Sequence, residues 1–322
     1  MRRHGDRPII SPGDIPDLGP HLRDVSAVFN PGATTFNNQV VLILRVQNRG
    51  RETFLMPAYS TNGIDFEVAS RTIHLRGIEM VKDPIYHVYD PRMTRIGQTY
   101  YMMVAMDMPT GCRLGLARTH DFEDFEFMGL VSLEDNRNGV LFSEQIDGHF
   151  LRLDRPNQVK TSSGVTTGNS ICLSMSKDLI HWETQGPIFH GNFHYWDELI
   201  GAGPPPLKTR HGWLLIYHGV ATHFASANIY QAGVALLDLK DPSKLIARGR
   251  YNILEPRMPY EMMGQVPNVV FPSGLVAKEL DQEGFAPDQS ELFIYYGAAD
   301  THVALATTTV AELIQACQED SL

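Results

Sequence analysis

Asp90 opens the core of the segment VYDPRMTRIGQTYYMMVAMD (88–107), set between a tyrosine and a proline just ahead of an apolar, aromatic stretch. An Asp before Pro commonly forms a turn, because its side chain bonds the backbone that follows. A carboxyl placed at a turn can also give and take a proton. The segment alone fits both readings, and its sister segments separate them. Equivalent heads carry Asn30 in NPGATTF and, by spacing, Glu144 in VLFSEQI. The apolar stretches that follow end in or just beyond Arg45, Asp107, Arg155, His218 and Asp300. Such a mixed-charge set is costly in an apolar core, where unpaired charges lose hydration. It is cheap around a wet channel that holds a polar ligand.

Residues about sixty positions apart meet only if the chain repeats. Five apolar strands of similar character recur, at 40–44, 100–104, 149–153, 213–217 and 292–296. The turns before them read FNNQ, IGQT, IDGH, TRHG and, after a longer insertion, APDQSE, all of them hairpin signals. Upstream lie the heads already quoted, joined by GAGPPPLK and FPSGLVAKEL. Downstream, MPAYSTNGIDFEVAS, LGLARTHDFEDFEFMG and ICLSMSKDLIHWETQG form a second pair, with Phe66, Phe125 and Trp182 in register. The fourth unit continues as GVALLDLKDPSKLIARG and the fifth as VALATTTVAELIQA, which ends as a short helix. Four short strands repeated five times predict an all-β fold: a five-bladed β-propeller with a short C-terminal helix, one domain over 1–322. In that architecture the entry loops of the inner strands converge on one mouth.

Composition narrows the partners. The 322 residues are 43% hydrophobic and 20% charged, enough for a large core, with a formal net charge of −10. That balance argues against a nucleic-acid partner. No run of eighteen apolar residues predicts a membrane span, and MRRHGDRPIISPGDIPDLGP lacks the apolar region of a secretory signal. Cys112, Cys172 and Cys317 are widely spaced and odd in number, which predicts free thiols and a cytoplasmic location rather than a disulfide framework. The histidines lack the spacing of a zinc helix, so no metal and no organic cofactor is expected.

AVFNPGATTFNNQVVLILRVQNRG, YDPRMTRIGQTYYMM, GVLFSEQIDGHFLRLDRP, GAGPPPLKTRHGWLLIYHGV, YQAGVALLDLKDPSKLIARG and YYGAADTHVALAT resemble the β-mannoside phosphorylases of glycoside hydrolase family 130. The resemblance runs from about residue 8 to residue 314, and GAGPPPLKT…GWLLIYHGV and YYGAADT are its most specific blocks. It implies a five-bladed propeller, in agreement with the repeat. It implies that Asp90, the Asp of the DPR motif, is the sole catalytic carboxylate. Asn30, Arg45 and Asp300 are implied to contact the mannosyl unit, with Tyr230 nearby. Arg137, Asn138, Arg155 and His218 are implied to bind phosphate, the co-substrate. Two places depart from the family pattern: Phe142-Ser143-Glu144-Gln145 stands for FPEK, and His87-Val88-Tyr89 for a glycine-valine-glutamate run.

Cleaving a glycoside needs a proton for the leaving oxygen and a nucleophile on the opposite face. An inverting hydrolase adds a second carboxylate as base, whereas phosphate is itself anionic and needs cations to hold it in line. Arg137 and Arg155 meet that need, and guanidinium forks suit phosphate. The expected reaction is inverting phosphorolysis of a β-mannoside disaccharide or oligosaccharide to α-mannose 1-phosphate. The resemblance implies that the Asp90 proton passes through the 3-hydroxyl of the mannose. Limited solvation should raise the Asp90 pKa and Arg45 and Arg92 should lower it, a contest left open by the sequence. An inverting β-mannosidase and a non-catalytic carbohydrate-binding propeller are the alternatives. His190, His194, Tyr195, Trp196 and His223 are candidates for the acceptor side. The linkage is open among 1,4-linked mannosyl-glucose, manno-oligosaccharide and 1,2-linked substrates, with LDRP inclining toward the first. Family resemblance also implies self-association into a homo-oligomer.

Overall fold

Every apolar stretch of the repeat is the second strand of its own sheet in the computed structural model, which describes residues 1–133, 135–160, 166–223 and 227–318. These strands are Gln39–Gln47, Thr99–Met108, Phe150–Pro156, Gly212–Ala221 and Glu291–Ala298. They are covered on both faces, so they read as unbroken apolar runs rather than as alternating ones. Ahead of each, across a hairpin, lies an inner strand: Ala27–Phe36, His87–Ile96, Asn136–Leu141, the pair Leu199–Ala202 and Leu207–Thr209, and Val270–Ala277. Third and fourth strands complete each sheet outward, and the five sheets form a five-bladed β-propeller. The inner strands of the first blade touch those of the second and the fifth, which brings the ring round on itself.

The fifth blade borrows its outer strand from the other end of the chain. Arg2–Arg3 pairs antiparallel with His302–Thr309, Arg2 opposite Thr307 and Arg3 opposite Ala306. The Arg3 guanidinium then reaches the fully buried Glu261 with Nε–Oε1 2.8 Å and NH2–Oε2 3.0 Å. Tyr296 donates to the same carboxylate at 2.8 Å, so closure carries an ion pair with its other acceptor sites filled. The sequence shows two arginines at this point and no strand signal.

Apolar packing lies between blades rather than on the axis. Val41 and Ile43 of the first blade pack with Met102 and Phe125 of the second, and Leu153 of the third with Trp213 and Tyr217 of the fourth. Helix Val310–Gln318 lays Val310, Leu313, Ile314 and Cys317, one helical stripe, onto the cluster between the fourth and fifth blades. Cys112, Cys172 and Cys317 are buried free thiols. Among the described residues no helix is long and apolar enough to cross a membrane.

Polar groups gather on the axis because the inner strands bulge there. The register passes from Phe29 opposite Arg45 to Gly32 opposite Ile43, and from Tyr89 opposite Ala105 to Arg92 opposite Met103. In the third blade it passes from Arg137 opposite Arg155 to Val140 opposite Leu153. Each step inserts one extra residue, a β-bulge, and re-aims the side chain at its start. Those residues are Asn30, Asp90 and Asn138, with φ of 47°, 51° and 55°. Asn and Asp tolerate this left-handed region better than other side chains, and holding it costs of order 1–3 kcal/mol.

Candidate active site

Three bulges, together with strand ends from the other blades, line a cavity of about 330 Å³ at the mouth of the channel. The nine residues that the family resemblance implied for the site meet there. Asn30, Arg45, Asp90, Tyr230 and Asp300 share it with Arg137, Asn138, Arg155 and His218. Tyr89, Asp107, Thr167, Val266, Val269 and Phe271 complete the wall. Tyr89 and Phe271 were not singled out in the sequence; their only signal is strand alternation beside a bulge.

Buried polar atoms without a hydrogen-bond partner among the described residues concentrate here. Asn30 Oδ1, Arg45 Nε, Arg137 Nε, Asn138 Oδ1, Arg155 Nε and His218 Nδ1 all belong to the lining. Native folds leave few such groups unpaired, and a cluster of them marks a place where function outweighs stability. A larger groove of about 1030 Å³ at the opposite end, between Asn37, Asn38, Arg95 and Lys278, is lined by none of these orphan atoms.

Asp90 lies at the centre of the arrangement. Its Oδ1 accepts from Asn30 Nδ2 and from Arg45 NH1, each at 2.9 Å. Arg45 is itself held between aromatic faces, 4.4 Å from the Phe29 centroid and 4.5 Å from that of Tyr89. Burial pushes the Asp90 pKa up, but the guanidiniums of Arg45 and Arg92 and the bonds from Asn30 and Arg45 outweigh it. The carboxyl therefore rests below its ordinary value, as the anion. The contest left open by the sequence goes to the arginines.

Asp300 behaves in the opposite way. Burial lifts its pKa to about 6, against the pull of Arg45 and with repulsion from Asp90. A folded-state pKa above the unfolded one contributes stability below the unfolded value, near pH 4, and loses it as pH rises through about 6. Asp300→Asn is therefore expected to stabilise the fold by about 1–3 kcal/mol at pH 7.5 and by nothing at pH 4. Urea melts at both pH values measure this, and an equal gain at both contradicts it.

Elsewhere in the lining, Arg155 is 8% exposed and its NH2 donates to the neutral Asn157 Oδ1 at 3.0 Å. No carboxylate among the described residues pairs with it. Burial and the neighbouring Arg137 drive its pKa down to about 10. Arg137 makes one long contact, NH2 to Asp107 Oδ1 at 3.4 Å, and Asp107 also accepts from Tyr89 Oη at 2.7 Å. His218 is 4.6 Å from Phe271 and 6.4 Å from Tyr230, centroid to centroid. Burial, reinforced by Arg155 and Arg92, holds its imidazole neutral, well below its ordinary pKa. The lining thus presents hydrogen-bonding groups around one carboxylate and, elsewhere, a buried cation without a counter-ion among the described residues.

Other expectations are redirected. Glu144 does not reach the mouth: it pairs with Lys208 at 2.6 Å beside a depression at the far end of the channel. The third bulge falls at Asn138, six residues earlier in the sequence, so the head of that unit was misplaced. Tyr195 Oη and Trp196 Nε1 both donate to the Arg250 carbonyl at 2.9 Å and brace a loop outside the cavity lining.

Comparison with known proteins gives the family. The family model described as beta-1,4-mannooligosaccharide phosphorylase matches residues 2–319. A β-1,2-mannobiose phosphorylase of Thermoanaerobacter sp. is 32% identical over 95% of this chain and 96% of its own. A 1,2-β-oligomannan phosphorylase of the same organism is 31% identical over 97% and 98%. The solved structure of the Listeria innocua β-1,2-mannobiose phosphorylase, in complex with β-1,2-mannobiose, superposes with a TM-score of 0.85 at 25% identity, covering 99% of each chain. With a match over nearly its whole length, the chain belongs to glycoside hydrolase family 130.

Proposed function

We propose that the protein is an inverting β-mannoside phosphorylase that uses inorganic phosphate to release α-mannose 1-phosphate and a shortened sugar. The observation that carries this reading is Arg155, a buried guanidinium without an anionic partner among the described residues, beside Arg137 in the cavity that Asp90 also lines. A buried unpaired cation is costly, and an incoming anion repays that cost. Phosphate would sit against Arg155, Arg137, Asn138 and His218, while Asn30, Arg45, Asp300 and Tyr230 would hold the mannosyl unit. A phosphate oxygen attacks the anomeric carbon as its bond to the leaving oxygen breaks. The proton for that oxygen comes from Asp90, through the 3-hydroxyl of the mannose.

Asp90 rests as the anion, so it must be charged with a proton once the substrates are in place. Entry of phosphate brings negative charge and expels water, and both raise a neighbouring carboxyl. Hydrolysis instead needs a second carboxylate free to act as base. Asp107 is tied to Tyr89 and Arg137, a constraint that favours phosphorolysis.

The assay is cleavage of a β-mannobiose with and without phosphate. Turnover that requires phosphate and yields mannose 1-phosphate is expected. Cleavage at the same rate in its absence identifies a hydrolase, and binding without turnover identifies a carbohydrate-binding propeller. The relatives at 31 and 32% identity are named for 1,2-linked sugars, which favours a 1,2-linked mannoside here. Running the reaction in reverse from mannose 1-phosphate with a panel of acceptors identifies the linkage formed.

A further inference from the structure

We infer that Arg92 is a positioning residue for the reaction: it fixes the bulge that aims Asp90 and fastens that bulge to the fourth blade. The inference rests on the phosphorylase reading and adds to it a group outside the cavity wall. Arg92 is 1% exposed and is among the largest fully buried side chains of the protein. A guanidinium so placed needs acceptors, and Arg92 spends its donors on backbone alone. NH1 donates to the carbonyls of Asp90 and Pro91, each at 3.2 Å, and Nε donates to the Gly203 carbonyl at 2.7 Å. Its NH2 is buried without a partner among the described residues, and its CZ lies 5.4 Å from the Phe271 centroid. For packing alone a buried apolar side chain would serve better than an under-bonded cation.

The three carbonyls explain the choice. Asp90 is held at a positive φ of 51°, a conformation that a carboxyl side chain adopts only under constraint. From the front, Asn30 and Arg45 of the first blade hold the carboxylate. From behind, Arg92 clasps the backbone of the same turn and ties it across the axis to the fourth blade. Gly32 lets the first blade close on the same turn, since a Cβ there would stand 2.8 Å from the Pro91 carbonyl oxygen. A lysine could not replace this fork, since one ammonium does not span carbonyls on two blades.

Arg92 also acts through its charge. The groups that face Asp90 are Asn30 and Arg45 from the first blade, Arg92 from its own, Arg137 from the third and Asp300 from the fifth. His218 of the fourth blade feels Arg92 as well. Of these, Arg45 and Arg92 are the cations that hold the Asp90 carboxyl down. Removing Arg92 should therefore raise the Asp90 pKa as well as loosen its aim.

The test compares Arg92→Met and Arg92→Lys in mannosyl transfer from mannose 1-phosphate, the direction that needs Asp90 as its anion. Both variants are expected to lose about 10²-fold in kcat, the scale of a misplacement of about 1 Å, with sugar affinity by calorimetry unchanged within about twofold. The acid limb of the kcat–pH profile should move upward in Arg92→Met and stay in place in Arg92→Lys. Should Arg92→Met fail to fold, Arg92→Lys still decides the matter through kcat. A folded variant with wild-type kcat, or a loss fully recovered at saturating sugar, overturns the inference. The phosphate requirement of the wild-type protein is measured separately, so failure of the phosphorylase reading appears there and not in the variants.

Discussion

Asp90→Asn is expected to lower phosphorolysis by about 10²–10⁴-fold, the usual contribution of a positioned proton donor. The amide keeps the size of the carboxyl and can still accept from Asn30 and Arg45 through its oxygen, so the left-handed bulge should persist. Mannose binding by calorimetry should therefore change little while turnover collapses. The low resting pKa adds a signature of its own in the wild type. Phosphorolysis consumes the protonated form of Asp90 and synthesis consumes the anion, so phosphorolysis should reach its maximal kcat at lower pH than synthesis does. Turnover of Asp90→Asn within about tenfold of wild type would remove Asp90 from the proton path.

Arg155→Met carries the second large effect, and stability and function should move in opposite directions. The side chain is buried, bonds only Asn157 among the described residues and has its pKa driven to about 10, so the charge is held against its preference. Replacing it with an apolar chain of similar volume should stabilise the fold by up to about 3 kcal/mol. A charge-assisted hydrogen bond is worth about 1.5–3 kcal/mol, so apparent phosphate affinity should fall by roughly 10- to 100-fold. The KM for phosphate at saturating sugar and a urea melt at the same pH measure the pair. An unchanged phosphate KM would exclude Arg155 from the phosphate site.

The five-fold repeat was legible because strands covered on both faces write themselves as apolar runs between hairpin turns. Asn30 and Asp90 were legible because they sit at the same point of two units, and the positive φ of the bulge accounts for their shared residue types, whereas Arg137, Asn138 and Tyr230 were legible only through the family resemblance. Glu144 shows where that logic slips. It stands near the right spacing, but the third bulge comes at Asn138, and a one-residue register shift has no apolar signature. The Asp90 pKa was not legible because it turns on whether two guanidiniums approach more closely than burial penalises, a matter of ångströms. Arg92 was read only as a nearby charge, since nothing in DPR says that its donors go to backbone carbonyls on two blades. Arg2 and Arg3 form a strand only because the fifth blade offers an edge, and no local propensity announces it.

That last pairing sets a schedule for biosynthesis. Arg3 leaves the ribosome roughly 300 residues ahead of its strand partner Ala306 and of the cavity residue Asp300 that precedes it. At about 5–20 residues per second, the roughly 300 residues between them take about 15–60 s to make. For most of that time the first blade carries Asn30 and Arg45 without the fifth blade beside it, and the blades already made keep an open flank. A nascent chain of this protein should therefore become resistant to protease, and able to bind sugar, only as its last blade emerges.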